Sequence, residues 1–155
     1  MHIHYISEQN SILNHFLAQI RDVNIQKDSM RFRKNIERIG EIMAYELSKT
    51  LDYKEIDVQT PLGIKHTTTI AEPVVLCSIL RAGLALHQGF MSFFDNAENG
   101  FVSAYRHHYD NDDKFEILVE YQAAPSFEGK NLILIDPMLA TGQSLVAVLH
   151  KLHLE

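Results

Sequence analysis

Two uninterrupted aliphatic runs constrain the fold of this chain more than any other feature. They are PVVLCSIL, which ends at Leu80, and NLILI, residues 131–135. Apolar runs this short, without polar alternation, are typical of strands that are covered on both faces. Each run is followed by a segment with helical periodicity, residues 84–94 and SLVAVLHKL. Strands that alternate with helices predict an α/β fold with a central, mostly parallel sheet flanked by helices.

Further elements are predicted around this α/β unit. Two apolar stripes predict an N-terminal helical segment, with a cap at Asp28 or Ser29 before the second stripe. The stripes are Ile12, Leu13, Phe16, Leu17 and Ile20, then Phe32, Ile36, Ile39, Met43 and Leu47. VQTPLGIKHTTTI predicts two strands and a Pro-Leu-Gly turn. GFVSAY and KFEILVEY predict a protruding β-hairpin whose segment RHHYDNDDK is an exposed tip or a mobile loop. Without repeats or a linker, residues 1–155 are expected to form a single domain.

Composition and charge exclude several classes of function. The net charge of −6 offers no general attraction to nucleic acid or to an anionic membrane, so neither is expected as a partner. No apolar stretch reaches the length of a membrane span and no secretory signal is visible, which together predict a cytoplasmic protein. The single cysteine, Cys77, lies in an apolar run and is expected to be a buried thiol in a reducing compartment.

The segment after the second aliphatic run has the pattern of a phosphate site. Asp136 comes directly after the strand, at the end where parallel α/β sheets bind ligands. The small turn Ala140-Thr141-Gly142 lets the backbone approach a ligand, and the next helix offers unpaired N–H groups at its N-terminus. Ribose hydroxyls are the natural partners of an acid beside a phosphate, so the pattern predicts a ribose 5-phosphate binder. On spacing alone, an ordinary strand-to-helix turn capped by Ser144 is equally compatible.

Arginines follow two other predicted strands. Arg81 stands just past the first aliphatic run, before Ala82 and Gly83, which are small enough for close approach of the backbone. A guanidinium at this place can hold phosphate oxygens in two-point fashion. Arg106 ends the predicted strand FVSAYR and is a further basic candidate. The alternatives are a strand-end arginine paired with a carboxylate for Arg81, and a loop arginine without a ligand for Arg106.

Several motifs resemble those of the uracil phosphoribosyltransferases, which belong to the type I phosphoribosyltransferase family. DPMLATGQS is similar to their loop for 5-phosphoribosyl 1-pyrophosphate (PRPP), with Gln143 where the family usually has glycine. ILRAGL matches their pyrophosphate loop, MRFRKNIERIGEIMAYELSKTL resembles their N-terminal helix, and TPLG and YR also fall in order. The similarity covers most of the chain from Arg21 onward. Orotate and purine phosphoribosyltransferases usually carry a second acid at the position that is Pro137 here.

The resemblance implies an activity and a set of site residues. The reaction joins uracil N1 to C1 of the ribose of PRPP and gives UMP and pyrophosphate, as in pyrimidine salvage. Arg81 and Asp136 are the implied catalytic residues: Arg81 and Arg106 bind pyrophosphate, and Asp136 holds the ribose hydroxyls. The other implied PRPP-binding residues form the phosphate loop: Pro137, Met138, Leu139, Ala140, Thr141, Gly142, Gln143 and Ser144. Mg²⁺ bound with PRPP is the implied cofactor, and the implied assembly is a homodimer or a higher homo-oligomer.

One segment of the family is not found in these 155 residues. Family members carry a PGLGD-like loop whose backbone recognises the uracil edge, and no such motif occurs here. The uracil-binding residues are therefore unassigned, and we expect a C-terminally incomplete form that binds PRPP better than uracil. Three function classes stay open: a uracil phosphoribosyltransferase, a non-catalytic PRPP- or nucleotide-binding module, and a remnant that has lost its ligands.

No metal site is predicted from the histidines or the acidic run. His107-His108 and the pair His150 and His153 lack a convincing third ligand, so solvated histidines are favoured. The acidic segment 110–113 resembles part of a calcium loop but lacks its glycine and terminal glutamate, which favours a charged hairpin tip.

Overall fold

The computed structural model describes residues 2–108 and 115–153, with side chains described for residues 2–105 and 118–153. Helices and strands alternate after two N-terminal helices and a hairpin. In chain order they are α1 (Ile12–Arg21), a short 3₁₀ helix (Ile25–Lys27), α2 (Ser29–Ser48), β1 (Tyr53–Thr60), β2 (Gly63–Ile70), β3 (Val74–Leu80), α3 (Gly83–Met91), β4 (Glu98–His108), β5 (Phe115–Ala123), β6 (Asn131–Ile135) and α4 (Gln143–Lys151).

Four strands form the central sheet in the order β5-β4-β3-β6. Strand β3 runs parallel to both of its neighbours, and β5 pairs antiparallel with β4. In the register of the sheet, Ser78 of β3 lies between Phe101 of β4 and Ile135 of β6. The predicted α/β fold, with a mostly parallel sheet, flanking helices and a hairpin, is therefore confirmed.

Both faces of the sheet are covered, which explains the uninterrupted aliphatic runs. On one face, Leu76 and Ile133 belong to a core cluster that includes residues of α1, α2 and α3. On the other face, Cys77 packs with Val148 of α4. Burial raises the pKa of the Cys77 thiol to about 11, in keeping with the buried cysteine that the sequence predicts. Since β3 alternates between two apolar environments, neither of its faces needs to be polar.

Both N-terminal helices begin at polar caps, of which only the cap of α2 was predicted. The Ser11 side chain accepts a hydrogen bond from the Leu13 N–H, and the Asp28 side chain accepts from the N–H groups of Met30 and Arg31. These bonds satisfy donors that the first turn of a helix leaves unpaired. Asp28, rather than Ser29, is thus the cap of α2. No helix in the described part of the chain is long and apolar enough to cross a bilayer.

The apolar stripes differ in detail from the prediction. Ile12 is 61% exposed, whereas Leu13 is 1% exposed. Leu13 therefore faces the core, and Ile12, which belongs to the predicted apolar stripe, faces solvent. In α2, Ile39 is buried as expected, but the fully buried set also contains Asn35 and Ala44. Small or hydrogen-bonded residues occupy these positions because α2 lies against two neighbouring helices and leaves little room there.

Helices α2 and α3 meet at two glycines. A Cβ atom on Gly40 would lie 2.5 Å from the Leu86 carbonyl oxygen, and a Cβ atom on Gly89 would lie 2.1 Å from the Glu37 carbonyl oxygen. Both neighbours are backbone atoms, so no side-chain rotation could relieve the contact. The two glycines therefore let the helix backbones touch, and they fix the position of α3 against α2. The predicted helix over residues 84–94 starts one residue earlier and ends three residues earlier than expected.

Strands β1 and β2 form a separate two-stranded antiparallel sheet, with Pro61 and Leu62 in the turn. The strand-turn-strand prediction is confirmed. Most residues of both strands are exposed, and so are the apolar side chains of Leu62 at 100% and Ile64 at 64%. A two-stranded sheet with so little burial is marginally stable by itself.

Strands β4 and β5 form the second predicted hairpin, with a register irregularity between Val102 and Ala104. Strand β4 continues through His108, which pairs with Phe115. The prediction that residues 106–108 belong to a loop is therefore wrong, because backbone pairing across the ribbon needs no apolar face in the sequence. The rest of the predicted tip, residues 109–114, lies outside the described residues, and so does the acidic segment 110–113.

Candidate functional site

The two aliphatic runs bring their polar ends to the same edge of the sheet. Strands β3 and β6 are parallel neighbours, so Arg81 and Asp136 both follow carboxyl ends. The loops are close: a Cβ atom on Gly83 would lie 3.0 Å from the Ile135 carbonyl oxygen. This edge is the usual place for ligands in an open α/β sheet. The candidate site therefore lies between the loop after β3 and the loop after β6.

A cavity of ≈ 210 Å³ opens between these two loops. Its lining includes eight of the predicted site residues, together with neighbours from β3, β4, α4 and the loop after β3. They are Asp136, Met138, Leu139, Ala140, Thr141, Gly142, Gln143 and Ser144 from the phosphate loop, with Ile79, Leu80, Ala82, Ala104 and Leu145. Pro137 and Arg81 are not part of the lining. The strand-end acid and the small-residue loop thus line one cavity, and their role in binding a ligand stays a prediction.

Seven consecutive residues, 138–144, thus form one wall of the cavity, and Asp136 adds the one carboxylate among the lining residues. The Asp136 side chain is partly buried, and its Oδ1 atom accepts a hydrogen bond of 3.2 Å from the Met138 N–H. This bond holds the carboxylate at the start of the loop. Its Oδ2 atom has no partner among the described residues, so it is available to accept hydrogen bonds from a ligand hydroxyl.

Gly142 ends the loop and begins α4. Its φ angle is +77°, a left-handed conformation that glycine adopts without the cost other residues meet. The Val146 N–H bonds to the Gly142 carbonyl oxygen at 2.9 Å, and no side chain caps the helix. Ser144 lies inside the first turn, so the alternative in which Ser144 is the cap is wrong. Apart from the Gln143 N–H, which donates weakly to Thr141 Oγ1, the N–H groups of the first turn of α4 have no side-chain cap and stay available beside the cavity.

Thr141 and Gln143 contact each other at this helix start. The Thr141 hydroxyl donates to Gln143 Oε1 at 3.2 Å, and Thr141 Oγ1 lies 3.5 Å from the Gln143 backbone N–H, which donates to it. Both side chains are exposed. Their groups are free to turn toward an anion, because exchanging one weak hydrogen bond for a charge-assisted one is favourable.

The two arginines lie in different surroundings. Arg81 is exposed, follows a cis peptide bond from Leu80, and makes no ion pair with a carboxylate of the described residues. The alternative of a carboxylate-paired arginine therefore finds no support there. Arg106 lies in β4 and pairs with Ile117, and its side chain is outside the described residues. Ala104, two residues before Arg106, lines the cavity.

Sequence reasoning missed a hydrogen-bond network that joins the buried residues Ser78 and His87 to the exposed Asn99. Ser78 Oγ lies 2.7 Å from His87 Nδ1, and His87 Nε2 lies 2.8 Å from Asn99 Oδ1. Ser78 and His87 are 0% and 3% exposed. Burial lowers the pKa of His87, and the hydrogen bond to Asn99 opposes this effect. A serine inside an otherwise apolar strand and a histidine inside an apolar helix were the signals in the sequence.

The predicted absence of a histidine metal site can be compared with the structure only for the histidines whose side chains are described. The described residues contain no group of three or more His, Cys, Asp or Glu side chains placed to hold a metal ion. His150 lies in the last turn of α4 and His153 just beyond it. The side chains of His107 and His108 fall outside the described part of the chain.

Comparisons with known proteins now identify the family. Residues 6–155 match the protein family described as uracil phosphoribosyltransferase. This chain belongs to the uracil phosphoribosyltransferase family. The uracil phosphoribosyltransferase of Porphyromonas gingivalis is 49% identical over 145 residues, which cover 94% of this chain and 67% of that protein. The uracil phosphoribosyltransferase of Methanothermobacter thermautotrophicus is 37% identical, over 92% of this chain and 65% of that protein. The chain thus spans about two thirds of the length of these relatives.

Solved structures agree with the family at the level of the fold. The AQ2163 protein from Aquifex aeolicus superposes with a TM-score of 0.80 at 29% identity, covering 93% of this chain and 67% of that one. A hypoxanthine phosphoribosyltransferase from Staphylococcus aureus gives a TM-score of 0.52 at 17% identity, over 78% of this chain and 56% of that one. The second likeness is distant and supports the phosphoribosyltransferase fold alone.

Proposed function

We propose that this chain carries the PRPP-binding half of a uracil phosphoribosyltransferase, a transferase that forms UMP and pyrophosphate from uracil and PRPP. The observation that carries the proposal is the cavity between the Arg81 and Asp136 loops, which adjoins an uncapped helix N-terminus. We infer that the base is uracil from the names of the two relatives described above, which are uracil phosphoribosyltransferases. No residue of this chain is assigned to uracil.

The 5-phosphate of PRPP would lie at the N-terminus of α4. Free N–H groups and the positive end of the helix dipole favour an anion there, and the hydroxyls of Thr141 and Ser144 add donors. Pro137, Met138 and Leu139 lead the chain from Asp136 into this loop. Asp136 Oδ2 would accept hydrogen bonds from the ribose hydroxyls. A carboxylate in contact with neutral hydroxyls avoids the repulsion that a direct contact with phosphate would cause.

The pyrophosphate would lie on the side of the Arg81 loop. In the reaction, the bond between ribose C1 and the pyrophosphate oxygen breaks, and its electron pair leaves with the pyrophosphate. Uracil N1 forms the new bond to C1 and loses its proton. Positive charge on the ribose and extra negative charge on the leaving group develop together, so Arg81 and Arg106 would stabilise the departing oxygens. Positioning of the two substrates supplies much of the remaining rate enhancement.

The residues fit a Mg²⁺ ion that arrives with PRPP rather than one held by a protein cage. Mg²⁺ is usually bound through one or two carboxylates together with substrate phosphates and waters. The cavity offers one carboxylate, Asp136, and the described residues hold no larger acidic or histidine cluster. When bound, the ion would neutralise charge on the pyrophosphate.

We also propose a homodimer, or a higher homo-oligomer, in the cytoplasm, with residues 1–155 forming one domain. The exposed apolar side chains of the β1–β2 hairpin, such as Leu62 and Ile64, support an assembly in which this hairpin is covered. Sedimentation velocity at tens of micromolar protein is expected to give a dimer or larger species (about the range in which weak association is seen). A monomer at that concentration contradicts the assembly.

Two measurements separate the proposed function from its alternatives. Titration calorimetry with PRPP and Mg²⁺ is expected to give saturable binding. An assay with uracil is expected to give UMP only slowly, because no residue of this chain is assigned to uracil, and robust UMP formation would contradict this expectation. PRPP binding without UMP would favour the non-catalytic module. Absence of PRPP binding in a folded chain, checked by circular dichroism, would favour a remnant without ligands. The Asp136→Asn variant is the control for both assays, because it keeps the side-chain shape and removes the charge.

A further inference from the structure

The network of Ser78, His87 and Asn99, in which Ser78 and His87 are buried and Asn99 is exposed, has a fixed hydrogen-bond direction. The Asn99 amide donates to the Ala97 carbonyl oxygen at 3.3 Å, so Asn99 Oδ1 is the atom that accepts from His87 Nε2–H. The other ring nitrogen, Nδ1, then accepts from the Ser78 hydroxyl. A neutral imidazole with its proton on Nε2 satisfies every group in this chain of bonds.

Ser78 is the member of the network that lies next to the two loops of the site. Ser78 pairs with Ile135 across the β3–β6 register, one residue before Asp136. Gly83, the first residue of α3, lies so close that a Cβ atom there would be 3.2 Å from Ser78 Cβ. His87 follows Gly83 by four residues, or about one turn of the same helix. Through Ser78 the network joins α3 to β3, two residues before the strand end that carries the Arg81 loop. Through Asn99 it joins α3 to the amino-terminal part of β4.

Only Arg81 and Ala82 separate the end of β3 from the start of α3. A connection this short takes its position from the two elements that it joins. Apolar packing holds α3 against the sheet through residues such as Leu86 and Phe90, but such packing has little directional preference. The hydrogen bonds of His87 to β3 and β4 are directional, so they select one placement of α3 along the sheet.

We propose that His87 is a positioning residue for PRPP binding, which acts through Ser78 and Asn99 to hold the Arg81 loop in place opposite Asp136. This inference rests on the proposed function, because the loop matters only if it binds the pyrophosphate of PRPP. His87 itself is buried and does not contact the cavity. Its effect on affinity is thus separate from that of Arg81 and Asp136, which are expected to touch the ligand.

The test compares variants of the network with a matched buried site elsewhere. His87→Leu and Ser78→Ala remove network bonds, whereas His87→Gln keeps one acceptor and one donor in the same side chain. Asn35→Ala is the control: Asn35 is 1% exposed and bonded to Gln19 and Arg38, away from the site. We expect Ser78→Ala and His87→Leu to weaken PRPP binding on the order of tenfold. Asn35→Ala should lose comparable stability but keep the affinity of the parent.

Recovery of affinity in His87→Gln would distinguish positioning from a general loss of packing. If Ser78→Ala binds PRPP within about twofold of the parent, or if Asn35→Ala weakens binding equally, the proposal is wrong. Should His87→Leu fail to fold, Ser78→Ala and His87→Gln decide the question.

A measurement without ligand keeps this inference separate from the proposed function. If the parent does not bind PRPP, the proposed function fails, and amide hydrogen exchange of residues 82–84 still tests the network. We expect faster exchange at these amides in Ser78→Ala than in Asn35→Ala, because the helix start is less restrained. Equal exchange in the two variants would overturn the positioning role.

Discussion

Replacement of Gly89 by alanine is expected to destabilise the protein, although alanine is the better helix former. Alanine gains about 1 kcal/mol over glycine in a helix interior. Against this gain, the new Cβ atom would lie 2.1 Å from the Glu37 carbonyl oxygen and 2.8 Å from the Glu41 backbone nitrogen. Both are backbone atoms, so α2 and α3 must move apart. Overpacking of this kind typically costs about 1–3 kcal/mol, occasionally more, and backbone contacts favour the upper end, which leaves a net loss of about 2 kcal/mol.

Thermal and urea unfolding of the Gly89→Ala variant measure this loss. A change of 2 kcal/mol corresponds to a fall in Tm of about 4–8 °C for a chain of this size. Gln88→Ala is the matched control, because Gln88 is the exposed neighbour in the same helix and its truncation meets no such contact. Its stability should stay within about 0.5 kcal/mol of the parent. A Gly89→Ala variant that is as stable as the parent would refute the reasoning, since helix propensity would then have outweighed the contact.

Three further predictions concern the site and its support. Asp136→Asn and Arg81→Ala should each weaken PRPP binding by about 1.5–3 kcal/mol, which is the usual cost of losing one charged hydrogen-bond partner. If calorimetry finds that both variants bind PRPP with the affinity of the parent, the site assignment is wrong. Gly142→Ala should lower stability by about 1–2 kcal/mol in urea unfolding, because its left-handed φ of +77° disfavours a side chain while the space around it is open; a neutral result would count against this backbone conformation. Burial lowers the pKa of His87 below its usual value of 6.5, so between the lowered pKa and 6.5 the unfolded state holds a proton that the folded state does not. The free energy of unfolding should therefore fall as pH drops through this window, by at most about 1.4 kcal/mol per pH unit, and His87→Gln should reduce the slope; identical slopes in the two proteins would contradict the buried neutral imidazole.

The sequence predicts the part of the site that depends on strand ends. Two apolar runs identify strands that are covered on both faces, and the carboxyl ends of parallel strands meet at one edge. This places Arg81 and Asp136 at the same edge of the sheet, whereas the adjacency of β3 and β6, which makes their loops neighbours, is seen only in the structure. Asp28 is similarly predictable as a cap, because the bonds it accepts come from N–H groups two and three residues later in its own helix.

Features that depend on contacts between distant elements were not predictable in the same way. The position of Gly89 against Glu37 follows from the crossing of two helices, which no local pattern encodes. The network of His87 with Ser78 and Asn99 joins three elements. Ser78 and His87 taken alone are ordinary polar residues in apolar segments, and Asn99 is an ordinary exposed residue at the start of a strand. The extension of β4 through His108 has a related cause: a ribbon held by cross-strand backbone bonds does not need the apolar alternation by which strands are recognised.

Gly83 and Gly142 illustrate how one residue type serves two different physical needs in neighbouring loops. Both were expected to be small so that backbone could approach a ligand. At Gly142 the requirement is conformational, since its φ is +77° and the nearest atom to an added Cβ would be Leu139 Cδ1 at 3.8 Å. At Gly83 the requirement is steric, since a Cβ atom would lie 3.0 Å from the Ile135 carbonyl oxygen and 3.2 Å from Ser78 Cβ. Gly83 therefore lets the two loops of the site come together. The distance between Arg81 and Asp136 is accordingly set by packing within the protein before any ligand is bound.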